Sequence, residues 1–213
     1  MRVSAKSLNK YPWYLRPFFW NQKRKYKKIL KPALLWGRVP QLFATVALLY
    51  GALDRKSSPL SPVLRSLVTV RVSQINWCHF CVDINNSLLL KRSGSMEKLE
   101  ALKNWKESDQ FDDLEKVVLE YTEAITYSDR QVTDDLMKRI HDFFDDDGIV
   151  ELTGLIAFQN LSSKFNSALD VPPQGFCQVP ADNEKTLANS KLQTQISPIN
   201  LLDGGTKELK ETI

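Results

Sequence analysis

The stretch LRSLVTVRVSQINWCHFCVDIN, residues 64–85, carries the reading of the fold, because it joins an apolar run to a pair of cysteines three residues apart. Val63, Leu64, Leu67, Val68 and Ile75 recur at helical spacing. The many β-branched residues also permit a strand. The spacing predicts a helix that Pro62 opens and Ile75 closes, since Pro is tolerated in a first helical turn. Asn76 is then placed as the cap of a second helix, WCHFCVDINNSLLLKRSG, with Lys91 and Arg92 in its last turn and Gly94 just beyond. Two consecutive helices result, and Cys78 and Cys81 share one face of the second at its opening.

Outward from this pair the chain divides into further helical pieces, and alternating strand patterns with tight turns are not evident. Pro40 opens a helix to about Leu53, followed by the polar, proline-rich joint DRKSSPLSP at 54–62. Leu114, Val117, Val118, Tyr121 and Ile125 form one stripe, and Leu136, Ile140, Phe143 and Phe144 another, capped by Thr133. The segment 149–169 is apolar around its circumference and is expected to be central. The fold class is all-α. Residues 1–59 are expected as a basic, aromatic-rich helical extension and 60–178 as the main domain. Residues 179–213, which hold no aromatic residue, are expected as a disordered tail.

Charge is unevenly spread. Residues 1–53 hold eleven of the 29 Lys/Arg and no acid, so the remainder sets 18 basic against 25 acidic groups. A basic arm on an acidic body fits a solvated helix packed on that body, or a peripheral contact with anionic membrane; nucleic acid is not expected. Three cysteines exclude a secreted disulfide framework and fit a reducing, cytoplasmic compartment. The opening MRVSAKSLNKYPWY lacks the apolar core of a secretory signal. The apolar stretch 39–53 falls short of the ~18–20 residues a spanning helix needs.

Zinc requires four ligands, and beyond the pair the chain offers only His79, His141 and Cys177, without finger-like spacing. Attachment of c-type haem requires histidine after the second cysteine, where Val82 stands. No metal and no cofactor is expected. What remains is simple packing of two soft side chains or a redox dithiol. Positions i and i+3 bring two sulfurs within bonding reach, and a helix N-terminus favours the thiolate.

The segment 64–85, followed by LLLKRSG at 88–94 and FFDDDGIVELTGLIAFQNLSSKFN at 143–166 in the same order and spacing, resembles the carboxymuconolactone decarboxylase family in its alkylhydroperoxidase D-like branch. The similarity spans about residues 60–178. It implies an all-helical fold and a homo-oligomer, a trimer or a multiple of one. It also implies that the pair reduces organic hydroperoxides. By motif position Cys81 attacks the peroxide and Cys78 resolves the sulfenic acid as a disulfide, which a thioredoxin-like or dihydrolipoyl-type donor reduces.

Two positions depart from that pattern: Ser66 and Asn85 stand where the branch carries a glutamate and a histidine that move protons. Neither titrates near neutrality. His79 and Asp83, four apart, are replacement relay candidates, although Asp83 lies about 200° around the helix from Cys81. Arg71 is a further candidate for tuning a thiol. Asp145–Asp147 with Gly148 mimic a calcium loop but have Phe143 at the first ligand position, so they read as a helix start. Gln159, Asn160 and Asn166 are expected in a structural hydrogen-bond network, and Cys177 as an incidental thiol. Two other functions stand beside the peroxidase: a non-enzymatic oligomeric interaction protein that has lost the relay, and the decarboxylation that names the family.

Overall fold

The computed structural model describes residues 1–177, which form one compact unit. The expected tail lies outside the described residues. Nine α-helices follow one another with no strand among the described residues: α1 (Arg16–Tyr26), α2 (Lys31–Trp36), α3 (Pro40–Leu53), α4 (Pro62–Ile75), α5 (His79–Ser93), α6 (Met96–Ala101), α7 (Asp113–Thr126), α8 (Asp134–His141) and α9 (Asp146–Ala168).

Their boundaries follow local chemistry. Ser61 caps α4 by accepting the Leu64 N–H at 3.1 Å, with Pro62 as its first residue. Asp112 and Glu115 form a reciprocal capping box on α7. Thr133 caps α8. Asp145 accepts the Gly148 N–H at 2.8 Å, so DDDG is a helix start. Gly94, at φ 69°, ends α5 in the left-handed region that a Cβ disfavours.

The valine-rich run is helical because α4 is enclosed on both sides. Leu67 and Val70 pack with Leu89, Leu102, Trp105 and Leu119. Leu64, Val68 and Val72 pack with Tyr121, Leu152 and Ile156. Burial of each such side chain contributes about 1.5–3 kcal/mol. That outweighs a helix-propensity cost below about 0.7 kcal/mol per β-branched residue. α4 is therefore a central helix. The helix expected to be central, α9, packs against α3, α4, α5, α7 and α8, and Val150 at 71% and Leu161 at 47% exposure mark the one face it leaves open.

The N-terminal arm folds onto the body. Tyr11, Leu15, Phe19 and Ala33 bury against Phe43 of α3. The Tyr11 hydroxyl donates to the Leu34 carbonyl at 2.8 Å. Trp36 stacks on Phe165 of α9 with centroids 3.6 Å apart. Leu35 reaches further, into a cluster with Cys78, Phe80, Cys81 and Val171. Trp13, Tyr14 and Trp20 of the same arm face outward.

Candidate active site

The cysteine corner is built by the break between α4 and α5. The Cys78 N–H bonds to the Ser73 carbonyl at 3.1 Å and the Trp77 N–H to the Gln74 carbonyl at 3.2 Å, the paired bonds of a Schellman helix end. Trp77 occupies the left-handed position at φ 53°. Asn76 closes α4 rather than capping α5, which corrects the sequence reading. Its side-chain amide donates to Asn160 Oδ1 and Ser163 Oγ, both at 2.8 Å, and so is not free for the next helix. The cap of α5 is Cys78 itself, whose sulfur accepts the Cys81 N–H at 3.2 Å.

Cys78 and Cys81 are joined as a disulfide, with Cα atoms 5.2 Å apart. Both are buried, at 1% and 3% exposure. They differ in what they face. Cys81, and not Cys78, lines a cavity of about 260 Å³ between the arm, α3, α5 and α9. Asn166 of α9, 1% exposed, donates its amide to Cys81 Sγ at 3.3 Å. Its carbonyl oxygen Oδ1 is buried without a hydrogen-bond partner among the described residues. Donation from Asn166 and the N-terminal dipole of α5 both favour negative charge at the sulfurs. The signal for Asn166 in the sequence was only its match to a polar position of the family, which suggested structure rather than contact with sulfur.

The remaining candidates are distributed as follows. Asn85 is buried and donates to Ser73 Oγ at 3.1 Å, while Gln159 donates to the same hydroxyl at 3.0 Å. Asn85 and Gln159 line both the main cavity and a smaller one of about 50 Å³ beside it. That smaller space is also lined by Asp54, Arg65 and Arg92. Ser66 does not line it but accepts from Arg92 Nη1 at 3.0 Å, while Arg92 Nη2 pairs with Asp54 at 3.0 Å. Tyr50 bridges the two spaces. It is partly exposed as a residue, but desolvation at its phenol, reinforced by Tyr26 and Asp54, pushes that group up and keeps it protonated.

No relay forms between His79 and Asp83. His79 is exposed. Asp83 accepts backbone N–H groups from Gln174 at 2.7 Å, Phe176 at 2.8 Å and Cys177 at 2.9 Å. Its carboxylate pins the segment after α9, which the i, i+4 spacing had no means of revealing. Arg71 is likewise committed elsewhere, donating to Glu123 at 2.9 Å and to Gln74 at 3.2 Å. Cys177 packs against the Leu67–Leu89 cluster; burial, and then the Asp83 charge, push its thiol up. Among the described residues no group of three or more His, Cys, Asp or Glu side chains is disposed to hold a metal. No helix among the described residues is long and apolar enough to cross a membrane.

A helical bundle whose central helix breaks into a CxxC-capped second helix, with one sulfur on a half-open cavity, defines an all-α dithiol protein. Residues 40–124 match the model of the carboxymuconolactone decarboxylase family, a match that begins in α3, ahead of the proline-rich joint. The uncharacterized protein YnjA of Escherichia coli K12 is 46% identical over 173 residues, 81% of this chain and 95% of that one. The chain belongs to the carboxymuconolactone decarboxylase family. Its fold is that of an alkylhydroperoxidase AhpD core, an uncharacterized peroxidase-related protein from Ralstonia eutropha JMP134. The two share a TM-score of 0.74 at 18% identity, with 81% of this chain and 92% of that chain covered. A complex of the debrominase Bmp8 with 2,3,4-tribromopyrrole has the same fold, with a TM-score of 0.70 at 17% identity, covering 89% and 97% of the two chains.

Proposed function

We propose that this chain is a CxxC-dependent thiol oxidoreductase that reduces organic hydroperoxides through a Cys78–Cys81 dithiol/disulfide cycle. The observation that carries the reading is that the two sulfurs are bonded at the opening of α5 while one of them, Cys81, lines a half-open cavity. The reacting form of the reduced pair has Cys81 as thiolate beside Cys78 as thiol. Cys81 attacks as thiolate on the terminal oxygen of the hydroperoxide, the O–O bond breaks, and Cys81 becomes a sulfenic acid. The departing alkoxide takes the Cys78 proton and leaves as alcohol. The Cys78 thiolate then attacks the Cys81 sulfur, forming the disulfide and releasing hydroxide. An external dithiol, thioredoxin-like or dihydrolipoyl-type, restores the pair by exchange.

Ser66 and Asn85 do not titrate in the neutral range, so protons in this cycle move between the sulfurs and solvent. The amides of Asn166, Asn85 and Gln159 orient and stabilise without taking protons. The test is a brief pulse of organic hydroperoxide on the reduced protein, followed by peptide mass mapping without reductant and by turnover with a dithiol donor. Formation of the Cys78–Cys81 disulfide, lost in Cys81→Ser together with turnover, is the expected result. If no such disulfide forms, or Cys81→Ser turns over like the parent protein, the redox reading fails and a non-catalytic oligomeric role becomes the better account.

A further inference from the structure

The first 53 residues carry eleven Lys/Arg and no acid, and the fold gathers part of that charge on one side of α1. The arm is fastened to the body by its inner side, where Leu15, Phe19 and Gln22 are buried. With about 100° between successive helical residues, Arg16, Pro17, Trp20, Lys23 and Arg24 fall within one sector of about 120° on the opposite side, and all five are exposed. Trp13, three residues before the helix, and Lys27, which ends it in the left-handed conformation, are exposed as well. This part of the arm precedes residue 40 and so lies outside the match to the family model.

Two observations separate this face from an ordinary solvated one. Its indoles are bare: Trp13 is 76% and Trp20 64% exposed, more than any other aromatic side chain among the described residues except Trp77. Its bases are not neutralised. Among the described residues no carboxylate pairs with a Lys or Arg of residues 1–53, whereas Arg71, Arg92, Lys98, Arg130 and Arg139 of the body all meet one. Arg2, Lys28 and Arg38 of the arm bond only to carbonyl oxygens. On the outer face the Arg24 guanidinium lies over the Trp20 ring, 5.3 Å from its centroid, so cation and indole are presented together.

We propose that α1 and the turn before it dock on the surface of an anionic lipid bilayer, with Trp13 and Trp20 at headgroup level and Arg16, Lys23, Arg24 and Lys27 against the lipid phosphates. Such a surface is negative at the phosphates and apolar just beneath, so it accepts cations and amphipathic indoles from one helix side. A single strand of nucleic acid is bound along a basic groove, and neither cavity described above is lined by Trp13, Arg16, Trp20 or Arg24. A second copy meeting this face across a two-fold axis would set the same bases against each other. The contact is peripheral, since no helix among the described residues is long and apolar enough to cross a membrane. It goes beyond the redox reading and shares no residue with the wall of the cavity beside Cys81.

The test sediments the full chain with vesicles of phosphatidylcholine alone or with one third phosphatidylglycerol, at low and at high salt. Each base held near an anionic surface raises partitioning about fivefold, so the anionic vesicles should bind at least about a hundredfold more tightly at low salt and lose most of that advantage at high salt. Arg16→Glu with Arg24→Glu should lower binding at least about tenfold. Brominated lipid should quench tryptophan fluorescence in the parent protein, and Trp13→Ala with Trp20→Ala should remove that quenching. All four side chains are exposed, and circular dichroism checks that the variants keep the fold. Equal binding to both vesicles, binding to neither, or anionic binding retained by the charge-reversed pair overturns the proposal. So does quenching retained by the indole pair, tighter binding to a fluorescent oligonucleotide, or a charge-reversed pair of lower oligomer mass in sedimentation velocity, which would assign the face to a second copy. No readout involves the sulfurs, so this proposal and the redox reading fail separately.

Discussion

Two polar clusters sit on the same central helix and are built in opposite ways. Around Ser73, close to the sulfurs, α4 gathers only neutral groups: Asn85, Gln159, and through Asn76 the side chains of Asn160 and Ser163. Two residues earlier, Arg71 turns to the opposite side and meets full charge. Glu123, 3% exposed, accepts from Arg71 Nε at 2.9 Å, from Trp105 Nε1 at 2.8 Å and from Arg130. The lesson is a separation of duties along one helix. The titratable pair that the family pattern carries near the sulfurs is replaced here by Ser66 and Asn85, and the buried charge of Arg71 and Glu123 holds α4, α7 and the turn at Trp105 together instead.

The largest effect that breaks this comparison is at the charged cluster. Burial pushes the Glu123 carboxyl up, but donation from Trp105, Arg71 and Arg130 outweighs it and holds the group below its ordinary value. A carboxyl depressed on folding contributes stability above its unfolded value of about 4.3 and loses it as the pH falls through the folded value. Glu123→Gln should cost about 3 kcal/mol near neutrality, by leaving the Arg71 charge unpaired, and should flatten the acid limb of stability against pH. Denaturant unfolding at several pH values checks both, while disulfide formation in the folded fraction should be unaltered.

At the neutral cluster the expected effects are on rates. Asn166→Leu removes the side-chain donor that Asn166 supplies to Cys81 Sγ, and alkylation of reduced Cys81 at neutral pH should slow about tenfold, the equivalent of one charge-assisted hydrogen bond of ~1.5 kcal/mol. Rates of iodoacetamide labelling against pH, read by peptide mass, measure this. Asn85→His would place a titratable group between the two spaces. The rate of hydroperoxide turnover should then gain a pH step near the ordinary imidazole value of about 6.5, absent from the parent protein. A profile without that step would mean the position no longer communicates with the sulfurs.

The smallest effect concerns the turn that joins the helices. Trp77 is 78% exposed and adopts φ 53°, a conformation that disfavours a bulky side chain. Trp77→Gly should raise stability by about 1 kcal/mol in thermal unfolding, since glycine suits this position of a Schellman end. Nothing in the packing of this chain accounts for an exposed ring at that strained position. Loss of exchange with a dithiol donor in the same variant would assign the ring to recognition of that donor.

The sequence alone determined what depends on local chemistry. Helix spacing, the caps at Ser61, Asp112, Thr133 and Asp145, the stop at Gly94 and the adjacency of two sulfurs are all set by neighbours within four residues. So is the absence of a titratable side chain at Ser66 and Asn85; the structure sets Asn85 in the neutral network around Ser73 and Ser66 against the Arg92 guanidinium. Tertiary structure decided what depends on partners far along the chain. Asn76 was drawn from α5 by α9, Asp83 from His79 by the segment 174–177, and Arg71 from the sulfurs by Glu123. Each is a polar group with more than one acceptable partner, and only packing fixes which of them is within 3 Å. The same holds for the arm. Its aromatic residues announce burial, but that they wall in Cys81 is set by where α3 and α9 present Phe43 and Phe165.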